Sequence, residues 1–325
     1  MNKLLNSKFI QFVEKINEMK KIVISKDEVI DTIAAGFITN TNVLLVGEPG
    51  TAKSFIIGEF CRRMGFDSEN GYFHYLLTKF TEPSEILGAL DINELKNGRY
   101  IINTKNKLPE AKVVFLDEVF NANSAILNSL LTIINEKKLL VGDMYKKLND
   151  LIVIYGATNH TPTDPFLKAF YDRFPIRVLV ENIERSQFMN LLDKEFIIEK
   201  EYFIEKKSDS IKSNSNKKDL NFDSIEFSKE INKYIINYYP KLRRYNKNMK
   251  IIKTFLDYIH ILRSDKEIFI SDRNIKYYIK MMIAYSMIRR ESLKIELDFE
   301  DASFILTKIF DHEEQKYEIE REFIY

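Results

Sequence analysis

Apolar residues along this chain follow two rhythms. In the first half, short unbroken apolar runs alternate with stretches in which apolar positions recur every third or fourth residue. The runs are Val43-Leu44-Leu45-Val46, Tyr72 to Leu77, Val113-Val114-Phe115-Leu116, Leu151 to Tyr155 and Ile176 to Val180. Unbroken runs of this length read as strands buried on both faces. The intervening helical stretches include Phe55 to Met64 and Ser124 to Asn135, the latter with Leu127, Leu130, Leu131 and Ile134 on one face. Strands alternating with helices predict a parallel sheet covered on both sides. After about Val180 only the helical rhythm remains. The pattern therefore predicts an α/β domain over residues 1–180 and a smaller helical domain over 181–325.

Local signals refine this outline. Ser25-Lys26-Asp27-Glu28 has the spacing of a capping box and predicts a helix running to about Ile38. The N-terminal stretch MNKLLNSKFIQFVEKINEMKK mixes acidic residues with amphipathic spacing. It reads as a surface helix rather than a signal peptide. Asn97-Gly98 is a two-residue hairpin signal followed by a strand-like Arg99-Tyr100-Ile101-Ile102. Lys206 to Asp219 (KKSDSIKSNSNKKD) is polar and predicted to be a mobile loop, with a helix (Arg185 to Phe196) before it.

Composition changes the picture only by exclusion. With 45% hydrophobic and 30% charged residues, the 325-residue chain is an ordinary globular one that can bury a large core. Net charge is +1, which argues against a dedicated nucleic-acid binder. One cysteine, Cys61, allows no intrachain disulfide and fits a reducing, cytoplasmic setting. The four histidines (His74, His160, His260, His312) share no metal-ligand spacing and read as structural or surface residues. No apolar run is long enough to span a membrane.

The candidate chemistry starts at NVLLVGEPGTAKSF. Gly47-Glu48-Pro49-Gly50-Thr51-Ala52-Lys53-Ser54 lies between a predicted strand and a predicted helix beginning near Phe55. That is the context of a phosphate-binding loop, whose backbone N–H groups and following helix N-terminus favour an anion. Lys53 would reach the outer phosphates and the Ser54 hydroxyl would ligate Mg²⁺. Ala52 stands where the usual pattern has glycine. Val113 to Leu116 then runs into Asp117-Glu118. An aspartate at the end of a buried strand can hold Mg²⁺ through water, and its neighbour can polarise an attacking water. Ile154-Tyr155-Gly156-Ala157-Thr158-Asn159 ends a further strand in an amide able to orient that water. Phe170-Tyr171-Asp172-Arg173-Phe174 offers Arg173 either as a surface partner of Asp172 or as a finger reaching a neighbour's nucleotide. In Ile270-Ser271-Asp272-Arg273, Ser271 is the predicted helix cap and Arg273 opposes the helix dipole in the first turn.

In this order the motifs resemble an AAA+ ATPase, and more narrowly the MoxR family near its RavA branch. That family writes its phosphate loop with alanine at the position of Ala52. FTEPSEILGALDINELKNGRY resembles its insertion in the second helix. VVFLDEVFNANSAILNSLLTIINEKK resembles its Walker B strand and following helix. ATNHTPTD with LKAFYDRFPIRV, and SDRNIKYYIKMMIAYSMIRRES, resemble its sensor 1, arginine-finger and sensor 2 regions. The resemblance covers roughly Ile22 to Gln315. It implies a P-loop parallel sheet flanked by helices, with a hairpin insertion, followed by a small all-helical lid. ATP would be held by Gly47 to Phe55 and Mg²⁺ by Ser54 and Asp117, with Glu118 activating water. Asn159 would be sensor 1, Arg173 a finger acting on a neighbour, and Arg273 sensor 2 acting on its own subunit. Val23 and Ile24 would lie against adenine. One departure is Arg289-Arg290, where relatives often have Gly-Arg, which bears on lid packing. RavA-type relatives extend beyond this module, so a partner-docking domain is not expected before Tyr325.

The function the resemblance implies is an Mg-dependent ATPase that remodels or helps assemble partner proteins. It would work as a hexameric ring, with a von Willebrand factor A-domain partner. Two other classes compete. A DNA-acting motor would use the basic, tyrosine-bearing run Lys241 to Lys247. A nucleotide-gated interaction switch would need little turnover, and it has no use for Glu118.

Overall fold

The computed structural model describes residues 3–141, 144–162, 164–193, 222–242 and 244–323. Two helices lead: α1 (Lys3–Ile22) and α2 (Asp27–Thr39). Then come β1 (Val43–Val46), α3 (Lys53–Arg63) and β2 (Tyr72–Leu76). An insertion follows: α4 (Pro83–Leu87), β3 (Ala89–Leu90), α5 (Ile92–Lys96) and β4 (Ile102–Asn103). Next are β5 (Val113–Asp117), α6 (Ser124–Glu136), β6 (Lys138–Val141), β7 (Met144–Lys147) and β8 (Val153–Thr158). α7 (Pro165–Tyr171) and β9 (Ile176–Leu179) end the α/β part. The rest is helical: α8 (Ser224–Leu242), α9 (Asn246–Ser264), α10 (Asp272–Arg289), α11 (Phe299–Leu306) and α12 (Glu313–Phe323).

Five strands form one parallel sheet in the order β2-β5-β8-β1-β9. Strands β1, β8 and β9 are buried along their whole length, and β2 at the edge is not. Alternate residues serve opposite faces. Val43, Leu45, Val113, Phe115, Val153 and Tyr155 pack under α1, α2 and α3. Leu44, Val46, Val114, Leu116 and Ile154 pack under α6 and α7 through Leu127, Leu130, Ile133, Phe170 and Phe174. This two-sided burial explains why the strands are unbroken apolar runs rather than alternating ones.

The N-terminal stretch does more than lie on the surface. Phe9, Phe12, Val13 and Ile16 of α1 sit inside the first core cluster, and the Phe12 ring lies against Phe37 and Phe227. The same cluster continues into α8, α9, α10 and α11. The change of rhythm near Val180 thus marks a change of architecture, while the apolar core runs through it. α10 runs antiparallel to α2: Lys280 donates to the Thr39 carbonyl, and Tyr285 lies toward Asp31. Beyond α11, the chain returns to the sheet edge, where the Arg177 N–H donates to the Lys308 carbonyl at 3.0 Å. Arg289 and Arg290 have a structural answer as well. Both grip the N-terminus of α11 through Asp298 and Asp301, which also form its capping box.

Several local expectations are corrected. Ser25 does not cap α2: it has φ +55°, the helix starts at Asp27, and no side chain caps it. Glu28, the supposed reciprocal partner, is taken by Lys308. Asn97-Gly98 does not close a two-residue hairpin. Asp91 caps α5 by accepting from the N–H groups of Asn93 and Glu94, and Asn97 ends that helix. The antiparallel pair is β3 with β4, and α5 is its connection. The strand predicted from Leu151 starts at Val153. Ser271 occupies the position before α10 without capping it through its side chain. The helix predicted from Arg185 opens with a 3-10 turn, Arg185–Gln187, and is α-helical over 188–193. The last residues of that prediction, 194–196, and the polar loop 206–219 lie outside the described residues.

Candidate functional site

Three neighbouring strands deliver the site at their C-terminal ends. The sheet order β5-β8-β1 places the ends of Asp117, Thr158 and Val46 side by side. β1 runs directly into the loop 47–52. Gly47 donates to the Thr158 carbonyl at 3.1 Å, and a Cβ there would stand 2.3 Å from the Val180 oxygen. Only glycine fits so close an approach. The loop then turns through Gly50 at φ +85° and Ala52 at φ +68°. Alanine in this left-handed region costs about 1–2 kcal/mol. The Thr51 hydroxyl bonds back to the Glu48 carbonyl at 2.8 Å, and Asn182 holds the Glu48 carboxylate at 2.7 Å.

α3 begins at Lys53 with no side-chain cap. The N–H groups of a helix's first turn have no intrahelical partner, so this end is open to an anion. Glu48, Pro49, Gly50, Ala52, Ser54 and Phe55 are exposed and form the rim. Lys53 is buried. Its ammonium donates to the carbonyls of Gly47 (2.5 Å) and Glu48 (2.9 Å) and to Asn159 Oδ1 (3.2 Å). Burial lowers its pKa, and the charges of Asp117 and Glu118 act in the opposite sense.

Ser54 Oγ donates to Asp117 Oδ2 at 3.0 Å. The backbone turns left-handed at Glu118 (φ +50°), which separates the two adjacent carboxylates. Glu118 faces Asn159, whose Nδ2 donates to Oε1 at 2.5 Å, and Asn121, whose Nδ2 donates to Oε2 at 3.2 Å. Asn159 thus bridges Lys53 and Glu118, and its amide orientation follows from having a donor on one side and an acceptor on the other. Lys53, Ser54, Asp117, Glu118 and Asn159 are therefore one connected group. Asn121 joins it through Glu118, and Asn182 braces the loop through Glu48; both come from outside the predicted set, and no local signal marked them.

The residues fit a nucleotide with its metal. An open helix start, a buried lysine and a hydroxyl–carboxylate pair are grouped at one rim. Among the described residues, no cluster of three His, Cys, Asp or Glu side chains could hold a metal alone. A small hard cation here would draw further ligands from phosphate and water, as Mg²⁺ does.

Val23 and Ile24 lie at the same end of the molecule. Val23 is buried and donates to the Met19 carbonyl at 3.0 Å. Ile24 lines a cavity of about 320 Å³ with Lys20, Ser25, Gln187, Asn190 and Asp193. Lys26 ties this corner to the Glu181 carbonyl, just past the residue against which Gly47 packs.

Arg173 and Arg273 are elsewhere. Arg173 precedes β9, and its carbonyl accepts from Asn42 Nδ2 at 3.5 Å, just before β1 begins. This is the N-terminal end of the sheet, opposite the loop. Arg273 is there too, because α10 runs antiparallel to α2 and its first turn projects past Thr39. Both guanidinium groups meet at one oxygen of Asp172. The expectation that Arg273 serves its own subunit's nucleotide does not fit this placement.

A family model described as the MoxR domain in the MoxR–vWA–β-propeller ternary systems matches residues 10–219. The chain belongs to the MoxR family of AAA+ proteins. An uncharacterised protein of Methanocaldococcus jannaschii is 36% identical over 258 residues, covering 77% of this chain and 66% of the relative. The chaperone MoxR1 of Mycobacterium tuberculosis is 25% identical over 169 residues, covering 51% of this chain and 43% of that one. The chain thus spans under two thirds of the length of these curated relatives. The crystal structure of a putative ATPase from Cytophaga hutchinsonii superposes with a TM-score of 0.64. It covers 97% of this chain and 96% of that one at 17% identity, and so supports the AAA+ fold.

Proposed function

We propose that this MoxR-family chain is an Mg-dependent ATPase that works as a remodeller of partner proteins. The observation that carries the reading is the connected group Lys53–Asn159–Glu118 beside Ser54–Asp117 at an uncapped helix start. Loop N–H groups and Lys53 would bind the phosphates. Ser54 and Asp117 would hold Mg²⁺, which neutralises charge on the phosphate oxygens when bound. Glu118 would take a proton from the attacking water, with Asn159 fixing the carboxylate and sensing the outer phosphate. Val23 and Ile24 would border the base.

Arg173 and Arg273 lie at the far end of the sheet and would serve the nucleotide of an adjacent copy. A ring, hexameric by family resemblance, makes that possible. The family model's description supports a von Willebrand factor A-domain partner. Kinship with a chaperone supports action on protein assemblies. Placement near the RavA branch rests on the motif wording. A cytoplasmic setting rests on the lone, buried Cys61; among the described residues no helix is long and apolar enough to cross a membrane.

The test is Glu118→Gln. Calorimetry should show Mg·ATP binding retained while steady-state turnover drops by about 10²–10⁴-fold, the share of a general base. Unchanged turnover would refute the assignment.

A further inference from the structure

Asp172 occupies an unusual position at the far end of the sheet. Its side chain is 3% exposed, yet it is shared by two cations from different elements. Oδ2 accepts from Arg173 Nη1 at 3.3 Å and from Arg273 Nη2. Oδ1 accepts from Asn274 Nδ2 at 2.8 Å, which fixes the carboxylate plane. Two guanidinium groups drawn to one oxygen would repel each other without it. Among the described residues, one carboxylate pairs with these two cations, leaving an excess of positive charge. Arg173 is 17% and Arg273 42% exposed, so that charge faces outward.

The helical part is also held here by contacts that do not use this carboxylate. Asn274 also bonds the Asp172 backbone carbonyl at 3.2 Å. Nearby, the Tyr171 hydroxyl and the buried Arg177 both bond the Phe310 carbonyl, at 2.9 and 2.6 Å. α10 thus keeps other ties to the α/β part, and the shared oxygen is what brings the two arginines together.

We propose that Asp172 is a positioning residue. It holds Arg173 of the α/β part and Arg273 of the helical part as one paired anion receptor, aimed at the triphosphate of an adjacent copy. This rests on the shared-site reading above. The pairing means the two arginines engage or miss the phosphate together, so the relative placement of sheet and α10 governs the neighbour's hydrolysis.

The test uses Asp172→Asn in the full chain, measuring steady-state ATPase activity alone and in mixtures. Turnover should fall by about 10²-fold, the effect of a small misplacement of catalytic groups, with KM for ATP and Mg·ATP binding unchanged. Mixing with Glu118→Gln should restore activity, because that variant brings an intact arginine pair to an intact nucleotide loop. Mixing with Arg173→Ala should restore none, since both variants fail on the same face. A merely structural role would not give this face-specific pattern. Wild-type turnover for Asp172→Asn, or rescue by Arg173→Ala, would overturn the proposal. If Asp172→Asn does not fold, Asp172→Glu keeps the charge and displaces the carboxylate. It should lose turnover with the same mixing pattern, and full turnover would overturn the idea. The underlying reading is tested separately by mixing Glu118→Gln with Arg173→Ala. Failure there removes the shared site itself, whereas success there with a fully active Asp172→Asn removes only the positioning role.

Discussion

The two ends of the central sheet differ in how they treat charge. At the C-terminal end, cation, amide and carboxylates are mutually satisfied in a short circuit: Lys53, Asn159, Glu118, with Ser54 on Asp117. At the N-terminal end, two arginines share one carboxylate, and the half-buried Lys137 and Lys280 donate, among the described residues, to carbonyl oxygens. In the proposed reading, the first end receives a charged ligand into the chain. The second, in the same reading, presents cations to a partner outside the chain. The proposed catalytic set, split between opposite ends of one sheet, would be complete only when copies meet head to tail.

The strongest way to break this contrast is at the far end. Arg173→Ala should slow ATP turnover by about 10³-fold or more while leaving nucleotide binding intact, as expected of a finger acting on a neighbour. If binding of Mg·ATP fell equally, the arginine would belong to its own site. Next in size is Asn159→Ala, which unlinks Lys53 from Glu118. Turnover should drop by about 10²-fold or more, the loss typical of a fixed hydrogen-bond donor at a reacting centre. A stopped assay with labelled ATP would show whether binding survives.

A third prediction concerns these half-buried lysines. Burial pushes the ammonium groups of Lys137 and Lys280 down to about 8. Between that value and the ordinary lysine range, the unfolded chain binds more protons than the folded one. Stability should therefore rise as pH increases from about 7.5 to 9. Urea denaturation at the two pH values would read this as a higher midpoint, and Lys280→Met should diminish the rise. A midpoint that falls over this interval would contradict it.

The smallest effect belongs to the loop. Ala52→Gly removes a left-handed alanine worth about 1–2 kcal/mol of strain and adds about 0.5–1 kcal/mol of chain entropy cost. The thermal midpoint should hold or rise slightly, with ATP binding retained. A loss of several degrees would mean that the Ala52 methyl packs productively.

Much of the nucleotide end is readable in the chain because each part is a local string: an apolar run, then the residue its end must present. Gly47 to Ser54 and Asp117-Glu118 need no knowledge of distant residues. The far end is different. Asp172 and Arg273 lie 101 positions apart, and their meeting depends on α10 running antiparallel to α2. The false cap at Ser25 has the same origin, since Glu28 is recruited by a lysine 280 positions away. The β6–β7 hairpin was missed for a different reason. Gly142-Asp143 between two short runs is a turn signal, masked by lysines and an exposed methionine that weaken the strand pattern.

The central claim is that each active site draws on two copies. The direct measurement is ATPase activity of Glu118→Gln mixed in equal amounts with Arg173→Ala, each almost inactive alone. Random assembly gives about a quarter of interfaces an intact glutamate facing an intact arginine, so activity should recover toward a quarter of the wild-type rate. A mixture no more active than the sum of its parts would contradict the account.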